Sequence, residues 1–238
     1  MMSLSTIPLL ATLAASTLAA GPDHRSTLPV PREDAGILAR QAEVLRRARE
    51  SPPTPLVFVG DSITQSWEGP GADTWKASFA PRGAVNLGVS GDRTEHVLWR
   101  LAQAPITRLE PKVVVLLIGT NNLGHGTANA EQTFDGVAKV VETLRGQVPA
   151  ATIAVCGILP RGERFTPVRG DLLEVNQTLA ARFADDPRVR ILDFGVRFLA
   201  PDGSIPKRLM PDGLHLSPEG YAIWADAIGP VLPGRSAP

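Results

Sequence analysis

The run Val113-Val114-Val115-Leu116-Leu117-Ile118, which stops on Gly119-Thr120-Asn121-Asn122, narrows the choice of fold more than any other stretch of the chain. Apolar residues in unbroken succession, with no polar alternation, describe a strand buried on both faces. Such a strand belongs to a parallel sheet covered by helices on either side. The unit recurs. Leu56-Val57-Phe58-Val59 ends on Gly60-Asp61-Ser62, and Ala84 to Gly88 ends in Val89-Ser90-Gly91-Asp92-Arg93-Thr94. Ile153 to Ile158 leads into Leu159-Pro160-Arg161-Gly162, and Val189 to Phe194 is a fifth strand.

Helical periods fill the intervals. From Glu33 onward Leu38, Ala42 and Leu45 fall at i, i+4, i+7, with Ile37 and Val44 widening the stripe, until Pro52-Pro53 ends the helix. Val97, Leu98 and Leu101 share one side of the next helix. Phe134, Val137, Val141 and Leu144 follow an Asn129/Gln132 capping box, and Leu172, Val175, Leu179 and Phe183 form another face. Ser217-Pro218 is an N-cap with proline at the first helical position, and Tyr221, Trp224, Ala225 and Ile228 are its packing face. Strands alternating with helices predict a single three-layer α/β/α domain around a five-stranded parallel sheet. The stretch from Trp67 to Pro81, rich in Gly, Pro and aromatic residues, reads as irregular and as a wall of the pocket at the strand tips.

Residues 1–20 read as a secretory signal peptide, since an apolar core from Ile7 to Ala15 is followed by small residues up to Ala19-Ala20. The expected location is therefore periplasmic or secreted. Residues 21–32 are polar and Pro-bearing and read as a linker, 33–233 as the domain and 234–238 as a tail. Of 238 residues, 24 are basic and 24 acidic and no basic run occurs, which argues against nucleic acid or an anionic membrane as partner. Beyond the N-terminal run no apolar stretch is long enough to hold the mature chain in a bilayer. Cys156 is the only cysteine and lies in an apolar run, so it reads as a small buried hydrophobe with no disulfide.

Parallel strands place their carboxyl ends on one edge of a sheet, where ligands of open α/β folds bind. Ser62, Gly91 and Asn121 each follow the end of a different strand and can converge there. They supply a hydroxyl able to attack a carbonyl, a backbone N–H that a ligand can approach closely, and a side-chain amide able to donate to an oxyanion. Of the four histidines, His24 falls in the linker and His96 within a helix, leaving His125 and His215. His215 has Asp212 three residues before it, just ahead of a sharply fixed helix start. A carboxylate so placed can orient an imidazole that takes the serine proton. A metal site built from Asp61, His125, Asp212 and His215 is a lesser alternative, because these residues lack a repeated ligand spacing.

Gly60-Asp61-Ser62, Gly91, Gly119-Thr120-Asn121-Asn122 and Asp212-x-x-His215 resemble the four sequence blocks of the SGNH (GDSL) hydrolases, in the family's order. Asn86 to Leu101 and Leu159-Pro160-Arg161-Gly162 resemble the branch that contains the catalytic subunits of platelet-activating-factor acetylhydrolase. The resemblance runs from about Leu56 to about Ile228. It implies a flavodoxin-like sheet, Ser62 as nucleophile, His215 as base and Asp212 as its orienter. It also implies an oxyanion hole from the N–H groups of Ser62 and Gly91 with the Asn121 side chain, and no metal or other cofactor. The implied activity is hydrolysis of short acyl esters, acetyl above all, of a carbohydrate or lipid. A lysophospholipase or thioesterase, or a binding module that keeps the fold without turnover, are the alternatives.

Overall fold

The computed structural model describes residues 23–233; the segment read as a signal peptide and the tail 234–238 lie outside the described residues. Five parallel strands form one sheet in the order β2-β1-β3-β4-β5. They are β1 (Leu56–Gly60), β2 (Val85–Gly88), β3 (Val113–Leu117), β4 (Thr152–Cys156) and β5 (Val189–Leu192). Every residue of β1 and β3 is buried, as their unbroken apolar runs require. Register is fixed at the centre by Leu56 opposite Val113 and Phe58 opposite Val115, and on the outer side of β1 by Val57 opposite Val85. Strands β3, β4 and β5 stop short of the runs that predict them: Ile118, Gly157 and Ile158, and Asp193 and Phe194, already belong to the loops beyond the tips.

The two-residue period of the strands splits the core into two clusters. Val57, Val59, Val114, Leu116, Ile153 and Val155 face one side. There they meet α1 (Ala35–Glu50), α4 (Thr94–Gln103), α6 (Ala130–Gln147) and α7 (Pro167–Arg182) through Val44, Val97, Val141 and Leu179. Leu56, Phe58, Val115, Leu117 and Cys156 face the other side. This second layer contains α3 (Ala72–Ser78) and α8 (Pro218–Ile228). Trp67, Phe79, Tyr221 and Trp224 are fully buried in it, and Phe58 lies 4.9 Å from Phe79 and 6.0 Å from Trp67, ring centre to ring centre. Aromatic packing of this density supplies large apolar burial plus favourable edge-to-face contacts. Cys156 is buried here, accepts a bond from the Trp224 indole N–H at 3.3 Å, and has its thiol pushed by burial up to about 12.

Three sequence expectations are corrected. The stretch 67–81 is largely helical, and its aromatic side chains Trp67 and Phe79 are core, not pocket wall; Trp75 to Phe79 is an i, i+4 pair on α3 and the turn after it. On α1 the buried face is Gln41, Val44 and Ala48, with Ile37 and Leu45 half-buried beside it, whereas Leu38 is 44% exposed and Ala42 is also exposed. The segment read as linker is packed against the domain over much of its length. Residues Arg25–Thr27 form a 3-10 turn with Ser26 buried, His24 Nε2 lies 3.1 Å from Asp135, and the Val30 N–H donates to Glu95 O at 3.1 Å.

Candidate active site

The sheet order reverses at β1, whose neighbours are β2 on one side and β3 on the other. That is the topological switch point, where the loops after adjacent strands splay apart and leave a crevice. Ser62 opens the single-turn helix α2 (Ser62–Gln65) at the tip of β1. Asp61 caps it by accepting the Ile63 N–H on Oδ1 at 3.0 Å. As the first helical residue Ser62 has no carbonyl of its own helix for its N–H. Asn121 occupies the equivalent place after β3, in the first turn of α5 (Thr120–Gly124).

His215 reaches the serine from the other end of the chain. Ser62 Oγ lies 3.0 Å from His215 Nε2, and His215 Nδ1 lies 2.7 Å from Asp212 Oδ2. The second carboxylate oxygen, Oδ1, accepts the N–H groups of Leu214 (2.9 Å) and His215 (2.7 Å), so a single side chain holds both the ring and the backbone that carries it. The turn is anchored on both sides. Gly162 N–H donates to Gly213 O at 2.8 Å, and Ser217 caps α8 through Gly220 N–H while its own N–H donates to Leu209 O. Burial works against the Asp212 charge, but the His215 ring and these N–H donors outweigh it and hold the carboxyl down at about 2. Asp212 is thus an anion at any working pH. With the Nδ1 proton toward it, Nε2 is free to accept from the serine hydroxyl.

Gly91 sits in the turn after β2 with φ +72°, which favours glycine. The turn is closed by Asp92 N–H to Val89 O at 3.2 Å and held by Ser90 N–H to Gln65 Oε1 at 2.8 Å, while no acceptor takes the Gly91 N–H among the described residues. Asn121 Nδ2 donates to Asp92 O at 2.8 Å, tying the side chain to the same turn. Ser62, Gly91, Asn121, Asp212 and His215, picked out in the sequence, therefore stand on loops gathered at one edge of the sheet, with Ser62, His215 and Asp212 in direct contact.

Among the described residues no hydrogen bond joins the His125, His96 or Asp61 side chain to Ser62 Oγ, His215 or Asp212. His125 is exposed at the end of α5, and burial together with Arg93, Arg161 and Arg32 lowers its ring. His96 is buried and accepts the Arg93 N–H at 3.0 Å; burial and the surrounding arginines push it down to about 3. Among the described residues no group of three or more His, Cys, Asp or Glu side chains converges in the manner of a metal site. Asp61 is wholly buried behind the serine with Oδ2 unpartnered. Burial pushes its carboxyl up to about 7, opposed by the Ile63 N–H and reinforced by the Asp92 charge.

Several supporting residues escaped the sequence reading. Asp92 is fully buried and meets Arg100 Nε at 2.9 Å; Arg100 also donates to Leu87 O (2.9 Å) and Gly60 O (3.3 Å), binding the ends of β2 and β1 to the Gly91 turn. Arg32, from the supposed linker, donates to Ser90 O at 3.1 Å and Asp92 Oδ1 at 3.4 Å. Asn122 accepts the Thr94 N–H at 3.1 Å and donates to Thr94 Oγ1 and Glu95 Oε2. For Arg100 a signal existed: it lies on the same side of α4 as Val97 and Leu101, and a charge on a buried face requires a buried partner.

Comparison with known proteins identifies the family. Residues 58–223 match the model of the GDSL-like lipase/acylhydrolase family. The alpha1 subunit of human platelet-activating factor acetylhydrolase IB is 38% identical over 177 residues, 74% of each chain, and the chicken alpha2 subunit is 38% identical over 167 residues, 70% of this chain and 71% of that one. Among solved structures, a GDSL-like lipase from Bacteroides thetaiotaomicron superposes with a TM-score of 0.67 at 22% identity, over 81% of this chain and 95% of that one. The acetyl xylan esterase AlAXEase gives 0.62 at 23% identity, over 74% and 98%. The chain belongs to the GDSL-like lipase/acylhydrolase family and is a serine ester hydrolase.

Proposed function

We propose that the chain hydrolyses short acyl esters, acetyl esters above all, of a carbohydrate or lipid alcohol, with Ser62 as nucleophile, His215 as general base and acid, and Asp212 orienting the ring. The observation that carries this is the continuous relay Ser62 Oγ, His215 Nε2, His215 Nδ1, Asp212 Oδ2 at 3.0 and 2.7 Å. Ser62 attacks the ester carbonyl as its proton passes to Nε2; the alcohol leaves with that proton, and water then releases the acid from the acyl-enzyme by the same base. The N–H groups of Ser62 and Gly91 and the Asn121 amide receive the oxyanion. The acetyl preference is supported by the names of the relatives, acetylhydrolase subunits, and of the acetyl xylan esterase that shares the fold.

One observation favours a second reading, in which the ester carries a long alkyl chain, as in a lysophospholipid or acyl thioester. A cleft of about 510 Å³, lined by Phe165, Leu173, Val196 and Leu199 but by none of Ser62, Asn121 and His215, is the apolar surface that such a chain would have to reach. Initial rates on p-nitrophenyl esters of two to twelve carbons, followed by acetylated sugars and lysophospholipids, separate the two. Acetate should give the highest kcat/KM; a maximum at eight carbons or more would favour the second reading, and absence of turnover on every ester would refute both. We also propose export, on the N-terminal apolar segment. Expression of the full sequence in a bacterial host should yield a protein trimmed near Ala20 outside the cytoplasm, and an untrimmed cytoplasmic product would contradict it.

A further inference from the structure

We propose that Arg161, seated in the notch left by Gly124, is a positioning residue for the Asn121 amide, and that it locks the base and the oxyanion donor into one frame. The inference rests on the reading above that Asn121 receives the oxyanion.

Helix α5 has five residues, too few to be stable alone, so the direction of the Asn121 side chain depends on what grips the helix. One grip is the bond from Asn121 to Asp92 O. A second is at Asn122, the residue after Asn121, held through Thr94 and Glu95. The third is Arg161, which holds the residue before it: its Nη1 donates to Thr120 O at 2.9 Å and Thr120 Oγ1 at 3.2 Å. Among the described residues no carboxylate pairs with this guanidinium, so its polar contacts within the protein are those at Thr120. Gly124, at the far end of the same helix, is where the guanidinium lies: a Cβ there would fall inside it. Gly124 has no left-handed backbone that calls for glycine, and glycine is a poor helix former. What requires the missing side chain is Arg161.

The other side of the clamp leads to the base. Gly162 N–H donates to Gly213 O, two residues before His215, and Arg169 Nε donates to Arg161 O at 3.0 Å. Arg161 therefore joins the loop that steadies the His215 turn to the helix that carries Asn121. Loosening that joint moves the donor relative to the reacting carbonyl, and a displacement of about 1 Å can lower a rate by about 100-fold.

The test uses p-nitrophenyl acetate with the full chain and four variants: Arg161→Met, Arg161→Lys, Gly124→Ala, and Arg161→Met combined with Gly124→Ala. Gly124→Ala leaves Arg161 chemically intact and meets only the end of a flexible side chain, so it folds even if Arg161→Met does not. We expect kcat to fall about 10- to 100-fold in Arg161→Met and Gly124→Ala with KM within about twofold, partial recovery in Arg161→Lys, and a double variant no worse than the poorer single one. Single variants with unchanged kcat, a loss confined to KM, or multiplicative losses in the double variant would overturn the proposal. An inactive wild type, or a fully active Asn121→Ala, would sink the esterase or oxyanion reading along with it. Impaired Asn121→Ala beside normal Arg161 and Gly124 variants would sink this inference alone.

Discussion

Asn121 has two amide hydrogens, and the bond to Asp92 O uses one of them. If the other meets the tetrahedral intermediate, Asn121→Ala should lower kcat by roughly 10²- to 10³-fold with little change in KM, because the bond is strongest when the carbonyl oxygen has become an anion. A variant with lowered Tm and full kcat would show that Asn121 only braces the Gly91 turn. Asp61 makes a separate prediction. Its ordinary carboxyl value is 3.8 and in the folded protein burial pushes it up to about 7. Between those values the native state holds a proton that the unfolded chain has released, so the contribution of this group is full below about pH 4 and lost as pH rises through about 7. Urea unfolding from pH 4.5 to 8 should show wild-type stability falling relative to Asp61→Asn, by on the order of a few kcal/mol. Parallel pH profiles for the two proteins would contradict it.

At the scale of elements, the strand tips owe their geometry to close approach of backbone to backbone. A Cβ on Gly88, the last residue of β2, would collide with the backbone of Thr64 and Gln65 in α2, where no side chain can move aside. Gly88→Ala should therefore lower stability by about 1–3 kcal/mol in urea, and an unchanged midpoint would show that α2 is free to shift. The strands and most helices were legible because their period is carried by apolar residues alone: β1 and β3 are buried on both faces, and Leu172, Val175, Leu179 and Phe183 are all buried. On α1 the period misled, because its buried face contains Gln41 and the small Ala48, while Leu38 offered an equally regular stripe one residue away. Between Trp67 and Pro81 the Gly-Pro-Gly punctuation outweighed the i, i+4 pair of Trp75 and Phe79, which is the true signal of α3.

In the whole molecule, the reversal of strand order at β1 brings Ser62 and Asn121 to the two sides of one crevice, and α8 fixes the turn that carries His215 beside them. The candidate group Ser62, Gly91, Asn121, Asp212 and His215 was legible because each member sits at a punctuation point, just after a strand or just before a capped helix. Its support was not. Asp92 with Arg100 and Arg32, and Asn122 with Thr94, are buried polar partnerships between segments far apart in the chain, and no local period marks them. The packing of residues 24–30 was hidden for the same reason: polar composition reads as linker, yet Ser26 and Thr94 meet as hydrogen-bonded core at 2.9 Å. If Ser62 is a nucleophile activated by His215, treatment of the full chain with a fluorophosphonate, followed by peptide mapping by mass spectrometry, should reveal it. A single adduct on Ser62 is predicted, retained in His125→Ala, slowed at least about 100-fold in His215→Ala and absent in Ser62→Ala; an adduct on any other residue, or labelling of Ser62 unchanged by His215→Ala, would contradict it.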